Sequence, residues 1–475
     1  MEQTIASCPL YKKCGGCQLQ TLPYDEQLRR KQGREIALLG KFGHVEPIIG
    51  MKNPAHYRNK VCAAFGLDAK KHIVSGVYQP GSHRIVPVDD CLIEDEIADR
   101  IIVDIRNMLR DFKIQVFDER SGRGFLRHVL VRRGFRSGEV MVVLVAASPI
   151  FPTQKPFVKK LLELHPEITT VVLNINDRFT PVVLGEREKI LYGPGVIEDT
   201  LCAHRFRISP RSFYQINPVQ TEVLYGKAVE YAALTGTETV LDAYCGVGTI
   251  GITASGGAKQ VIGVELNRDA VKDAIANAKL NGLKNCWFTT GDAGEYMQGM
   301  AREGYKPDVV FLDPPRAGSS EAFLRALIKT APSRTVYVSC DPETLARDLE
   351  ILTAGGYKVQ RIQPVDMFPF TEHVETVCLL SKLNAKQHIE INLDMDELDL
   401  TDAEKKATYQ EIKDYVLEHS GLKVSSLYIA QVKQKCGIIE RENYNKPKSE
   451  DAKQPQCPPD KEKEIKEALT HFGMI

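Results

Sequence analysis

The segment VLDAYCGVGTIG, residues 240–251, decides how the rest of the chain is read. Its apolar start is strand-like and ends in Asp242. Gly246 and Gly248 then let the backbone turn tightly and approach a ligand at the carboxyl edge of an open α/β sheet. Working outward, QVIGVE (260–265), DVVFLD (308–313) and TVYVSC (335–340) are further apolar runs of strand length, and RDAVKDAIANAKLNG (268–282) is helix-like. Strands alternating with helices predict an α/β architecture with a doubly wound, mostly parallel sheet over residues 205–384.

The flanks differ in texture. Residues 1–204 hold short alternating runs such as 129–132, 140–145 and 170–174 broken by Gly and Pro, which predicts an α+β domain. Residues 385–475 carry 14 Lys and Arg against 18 Asp and Glu. They include the acidic stretch LDMDELDLTDAE (393–404), helix-like segments at 405–419 and 425–436, and a polar linker at 443–460. A small helical appendage on a flexible joint is the expectation there.

At 475 residues the chain is long enough for about three domains. With 43% apolar and 26% charged residues, the composition excludes collagen-like, wholly disordered and disulfide-scaffold classes. Lys plus Arg and Asp plus Glu both number 62, so there is no global field for a polyanion. Any RNA must be met locally, and RSGRGFLRHVLVRRGFR (120–136) concentrates Arg120, Arg123, Arg127, Arg132, Arg133 and Arg136 without an acid. Such a run serves either as a solvated strand face or as a phosphate contact. No apolar run reaches membrane-spanning length, and the start of the chain lacks a secretion signal. A cytoplasmic protein is expected, with its twelve cysteines as thiols, metal ligands or nucleophiles.

Candidate chemistry collects at the predicted strand ends. Glu265 closes the second strand, where a carboxylate can accept both hydroxyls of a ribose, and Asp292 follows the third, near an adenine edge. Gly251 completes a GxGxxG spacing, so the glycines alone leave a dinucleotide open. Asp313 opens DPPR, which resembles the D-P-P-aromatic motif of amino-group methyltransferases, but Arg316 stands where the aromatic would stack. Cys340 ends the fifth strand before a probable helix, where a helix N-terminus and Arg316 can activate a thiol. Glu375 lies in MFPFTEHVETVCLL, thirty-five residues on, and offers a carboxylate for the same site.

The N-terminal pattern CPLYKKCGGC places Cys8, Cys14 and Cys17 close together, with Cys91 as the expected fourth ligand. Four thiolates suit zinc and iron–sulfur clusters, and the lack of a second CxxC tilts the choice toward a four-iron cluster.

Together these motifs resemble the S-adenosylmethionine-dependent RNA uracil-5 methyltransferases over residues 8–384. The resemblance implies a Rossmann-like methyltransferase domain at 205–384 behind an iron–sulfur and RNA-binding domain at 1–204. It implies a 4Fe-4S cluster on Cys8, Cys14, Cys17 and Cys91, as in the branch acting on 23S ribosomal RNA. In the family segment SFYQIN (212–217), Gln215 contacts S-adenosyl-L-methionine, and Tyr244, Glu265, Asp292 and Asp313 line that methyl donor. Cys340 is then the nucleophile and Glu375 the base. A monomer acting on 23S ribosomal RNA is the expected state; a tRNA T-loop enzyme and a non-catalytic RNA-binding protein are the alternatives. Family members often begin with a small β-barrel RNA-binding domain, whereas this sequence starts almost directly at the cluster cysteines, so RNA affinity is expected from the cluster domain, the arginine-rich stretch and the C-terminal appendage.

Overall fold

Two seven-stranded sheets carry the larger of two units into which the chain divides, Met1–Gln387 and His388–Ile475. The computed structural model describes residues 8–382, 409–436, 457–472 and 474. The first sheet is built from β1 (Lys60–Leu67), β2 (Ile73–Tyr78), β3 (Ile85–Pro87), β4 (Leu126–Arg133), β5 (Val140–Ala146), β6 (Ile168–Ile175) and β7 (Arg187–Tyr192). Its order is β3-β2-β1-β4-β5-β6-β7, antiparallel except between β5 and β6. The helix Gln154–Leu164 makes that parallel crossover. Strand β5 is buried along its whole length, which explains why its sequence is an unbroken apolar run rather than an alternating one. A hairpin of β8 (Ile197–Leu201) and β9 (His204–Ile208) follows.

The second sheet contains β10 (Thr239–Ala243), β11 (Gln260–Glu265), β12 (Cys286–Thr290), β13 (Val309–Leu312), β14 (Arg334–Ser339), β15 (Tyr357–Val365) and β16 (Glu375–Lys382). Their order is β12-β11-β10-β13-β14-β16-β15. The first five are parallel and the last two join antiparallel. Alternate residues feed two cores. Val240, Val261, Phe311, Val336 and Val377 face one, and Leu241, Ile262, Val310, Tyr337 and Cys378 the other. This two-sided burial is the doubly wound arrangement expected from the alternation of strand and helix.

Four of the six clustered arginines hold protein groups, so the stretch is not a plain solvated face. Arg127 donates to the carbonyls of Asn176 (2.9 Å) and Arg178 (2.7 Å), and Arg132 to that of Ser212 (2.9 Å). Arg133 pairs with Asp95 and Arg136 with Glu222, both at 2.8 Å. Arg120, Arg123 and Arg136 are exposed.

The helix Tyr24–Leu39 belongs early in the sequence but is fastened to the second sheet. Gln27, Lys31 and Glu35 recur every fourth residue on its buried face. Gln27 accepts from the Phe370 N–H (2.9 Å), and Lys31 donates to Asp366 (2.6 Å) and to the Phe368 carbonyl (3.1 Å). Glu35 accepts from the Thr376 hydroxyl (2.8 Å). Lys31 and Asp366 are almost wholly inaccessible, with side-chain exposures of 1% and 0%. Lys31→Met leaves that aspartate buried against only the Tyr24 hydroxyl. The expected cost is about 3–5 kcal/mol of stability, checked by urea unfolding of the full chain.

The smaller unit comprises helices Tyr409–Ser420, Ser426–Lys435 and Pro459–His471 around Ile412, Val416, Ile429, Val432, Ile465 and Leu469. The third helix, starting inside the segment expected to be linker, corrects the two-helix expectation: Pro459 supplies a favourable first helical position that a composition-based reading takes for linker. Residues 405–408, the acidic stretch 393–404 and linker positions 443–456 lie outside the described residues. Among the described residues no helix is long and apolar enough to cross a membrane.

Candidate active site

The second sheet delivers its acids to one edge. Parallel strands all end there, and the order reverses between β10 and β13, which opens a crevice beside the glycine turn. That turn is tightly specified. Tyr244 adopts a left-handed backbone (φ 64°), uncommon outside glycine, and Gly248 (φ 84°) leaves room that a Cβ would fill 2.9 Å from the Phe288 ring. Gly251 has another task. Its N–H donates to Asp242 Oδ2 (2.8 Å), and a Cβ there would meet that oxygen at 2.8 Å. The third glycine therefore answers to helix-on-strand packing and does not select a nicotinamide cofactor.

Around the crevice, Glu265 accepts from the N–H groups of Gly246 (3.2 Å) and Asn267 (2.8 Å), so the acid that ends β11 also braces the turn. Asp292 caps the helix Ala293–Glu303, accepting from the Glu295 N–H (2.9 Å). Tyr244 lies beside Asp292 and packs on Phe323 with ring centroids 5.6 Å apart. Gln215 is buried near the Tyr225 hydroxyl, which is 3.1 Å from that of Thr249 at the start of the helix after the glycines. Asp313, just past β13, is pushed up to about 7 by burial and acts electrostatically on the same tyrosine. Tyr244, Glu265, Asp292 and Asp313 thus end or follow parallel strands at this edge, and Gln215 lies near the Tyr225 hydroxyl that meets Thr249.

Cys340 and Glu375 come together at that edge through strand pairing. In the antiparallel pair β14–β16 the last matched residues are Ser339 and Thr376. One further step sets Cys340 opposite Glu375, a position where side chains share a face of the sheet. Burial first, then the Glu375 and Asp313 carboxylates, push the Cys340 thiol up to about 11, and the Arg316 guanidinium pulls the other way. The helix after Cys340 and the Arg316 cation therefore do not produce the activated thiol expected from the sequence. Asp341 already caps that helix, accepting from Glu343 (3.0 Å) and Thr344 (3.1 Å), and burial of the thiol outweighs the exposed guanidinium. Glu375 is 4% exposed, and burial holds its carboxyl well above the usual carboxylate range. Asp313 and Glu35 add to that rise and Arg316 opposes it. A buried acid with a raised carboxyl, next to a half-buried thiol, suits chemistry in which both groups change protonation state.

Cys8, Cys14, Cys17 and Cys91 line one cavity of 170 Å³, together with Arg58 and Glu94. Burial, then the neighbouring Cys14 and Cys8, push the Cys17 thiol up to about 11. Among the described residues no three His, Cys, Asp or Glu side chains are placed to hold a single metal ion. A four-iron cluster would take one thiolate on each iron, and the four cysteines face the same cavity.

Sequence patterning overlooks the Gln27, Lys31 and Glu35 stripe, because a search for apolar periodicity passes over a polar face. The available signal is the four-residue spacing of polar side chains ending in Leu39, in a helix that must bury one side. His373, two residues before Glu375, is also overlooked. Burial and then the cations Arg316, Lys31 and Arg34 hold its imidazole below the ordinary range.

A doubly wound sheet closed by an antiparallel strand pair, with acids and a thiol at successive strand ends, defines a methyltransferase-type Rossmann-like fold. More narrowly, the chain belongs to the tRNA (uracil-5-)-methyltransferase family, whose sequence profile matches residues 23–383. It is 44% identical to an uncharacterized RNA methyltransferase of Halalkalibacterium halodurans, over 81% of this chain and 84% of that protein. A second such protein, from Oceanobacillus iheyensis, is 45% identical over 78% and 81% of the respective chains. Among solved structures it is similar to the Pyrococcus abyssi tRNA (uracil-54, C5)-methyltransferase in complex with S-adenosyl-L-homocysteine. That similarity has a TM-score of 0.65 and 30% identity, covering 79% of this chain and 87% of that one.

Proposed function

We propose that this protein methylates C5 of a specific uridine in 23S ribosomal RNA through a covalent bond from Cys340 to C6. The pairing that sets Cys340 against Glu375 beside the glycine turn carries the proposal. Uracil C5 is a weak nucleophile, so a single-step methyl transfer would break the ring's conjugation unaided. Addition of the Cys340 sulfur to C6 splits the task and moves the ring's π electrons toward C5. S-adenosylmethionine, when bound, supplies an electrophilic methyl on its sulfonium sulfur. Gln215, Tyr244, Glu265, Asp292 and Asp313 would hold it. The fit rests on the open space beside Gly246, where a Cβ would meet no atom within 4 Å, and on the strand-end carboxylate of Glu265. Once C5 carries the methyl group, Glu375 takes the C5 proton. The C–H electron pair re-forms the C5–C6 double bond, and the C6–S bond breaks to return the Cys340 thiolate. A paired uracil hides both faces, so the target must leave its stack or lie in a loop.

On this proposal residues 1–204 form the iron–sulfur and RNA-binding domain, and the protein works as a cytoplasmic monomer. Cys8, Cys14, Cys17 and Cys91 would hold a four-iron cluster with a structural role, since methyl transfer requires no redox step. The shared cavity supports a body larger than one ion. Anaerobically purified protein should absorb broadly in the visible, and Cys14→Ser should lose that absorbance; a colourless protein containing zinc would refute the cluster.

The likeness to the Pyrococcus abyssi enzyme favours a second reading, a tRNA substrate with the same chemistry. Mapping 5-methyluridine by RNA mass spectrometry in a deletion strain separates the two. Loss from 23S ribosomal RNA is the expected result, and loss confined to the tRNA T-loop would overturn the ribosomal assignment.

A further inference from the structure

Glu35 has no part in the scheme above, yet its surroundings single it out. Its side chain enters the interior from the helix Tyr24–Leu39 and is 0% exposed. Oε2 accepts from the Thr376 hydroxyl (2.8 Å), and Oε1 has no hydrogen-bond partner among the described residues. The nearby cations are committed elsewhere: Arg34 to Glu343 at 2.9 Å, and Lys31 to Asp366 at 2.6 Å. A buried carboxyl without a counter-ion opposes folding, so its presence beside a reaction centre calls for a functional account. Thr376 directly follows Glu375, and Glu35 is one of the charges acting on Glu375.

We propose that Glu35 is a positioning residue for Glu375: it anchors the start of β16 through Thr376, and when ionised it strengthens Glu375 as a proton acceptor by like-charge repulsion. This rests on the assignment of Glu375 as the base. The other groups acting on Glu375 are Asp313 and Arg316, with Cys340 opposite it. Those acting on Glu35 are Arg34 of its own helix and Asp341. His373, in the loop before β16, is flanked by Arg316, Lys31, Arg34 and Glu372, and its lowered proton affinity leaves it neutral above neutrality. Burial pushes Glu35 up to about 7, so its charge appears within the working pH range.

Glu35→Gln keeps an acceptor for Thr376 but removes the charge, so Glu375 gives up its proton more readily and becomes a weaker base. Thr376→Val keeps the charge and removes the anchor. The measurement is single-turnover tritium release from unmodified 23S ribosomal RNA and tRNA transcripts carrying 5-tritiated uridine, followed against pH with the full chain. Read as the ratio to wild type at each pH, which cancels the shared Cys340 ionisation, the Glu375 limb of Glu35→Gln should lie about one pH unit lower, with a several-fold lower rate above it. For Thr376→Val the limb should stay in place while the plateau falls. Covalent capture of 5-fluorouridine RNA precedes proton removal, so Glu35→Gln should capture it at the wild-type rate.

A Glu35→Gln profile that superposes on the wild type overturns the inference. So does a variant that loses capture and thermal stability together, which would make Glu35 a purely structural residue. If the wild-type protein captures no 5-fluorouridine RNA, the Cys340 assignment falls and this inference with it, an outcome distinguishable from an unshifted limb in a capturing enzyme.

Discussion

Replacing Cys340 with alanine is expected to lower 5-methyluridine formation by at least about four orders of magnitude and to abolish the denaturation-resistant complex with 5-fluorouridine RNA. Both losses follow from one missing bond. Without sulfur at C6 the ring never gains the electron density at C5 that methyl transfer needs, and nothing tethers RNA to protein. The side chain is only half-buried and the change removes one atom's volume, so the melting temperature should move little. A fold defect would instead lower stability and activity together. Persistence of either the methylation or the complex would assign the nucleophile to another group.

Replacing Glu375 with glutamine should have the opposite visible effect on the complex. Addition and methyl transfer precede the step that needs a base, so the methylated adduct should accumulate on ordinary uridine RNA and survive denaturation. Turnover should fall by about 10²–10⁴-fold, the usual weight of one positioned general base. Stability gives an independent check. Burial holds the Glu375 carboxyl above its unfolded value, so the folded state binds its proton more tightly than the unfolded chain does. That contribution is fully present below the ordinary carboxylate pKa and is lost as pH rises from there through the raised folded value. Glu375→Gln cannot ionise and escapes the loss, so it should gain stability relative to wild type as pH increases across that window. Denaturant unfolding at a series of pH values reads the difference, and a pH-independent difference would mean that Glu375 is not buried in its neutral form. Wild-type turnover should itself climb with pH, because both the Cys340 thiol, pushed up to about 11, and the Glu375 carboxyl must lose protons to act.

Much of the second sheet was legible because parallel strands buried on both faces must be apolar throughout, and their connecting helices leave a regular gap. The strand-end positions of Glu265, Asp313 and Cys340 follow from that alone. The arginine stretch was illegible for a matching reason. Arg127 and Arg132 occupy a strand whose charges would normally face water, and nothing local announces the carbonyls of Asn176, Arg178 and Ser212 that receive them. Glu35 and Lys31 were equally hidden, since their partners Thr376 and Asp366 lie more than three hundred residues away in sequence.

What the sequence determined by itself is local and periodic: strand, glycine turn, helix, and which residue types stand at each strand end. Backbone sterics and the need to bury apolar faces act over a few residues and leave their mark in the text. Only the tertiary structure decided that β16 returns antiparallel to β14, which brings a carboxylate from position 375 to a thiol at position 340. Only the tertiary structure, too, drove a polar helix face against the start of that strand and the loop before it. Proton affinities depend on burial and on charges a few ångströms away, and those distances exist only after the chain has closed on itself.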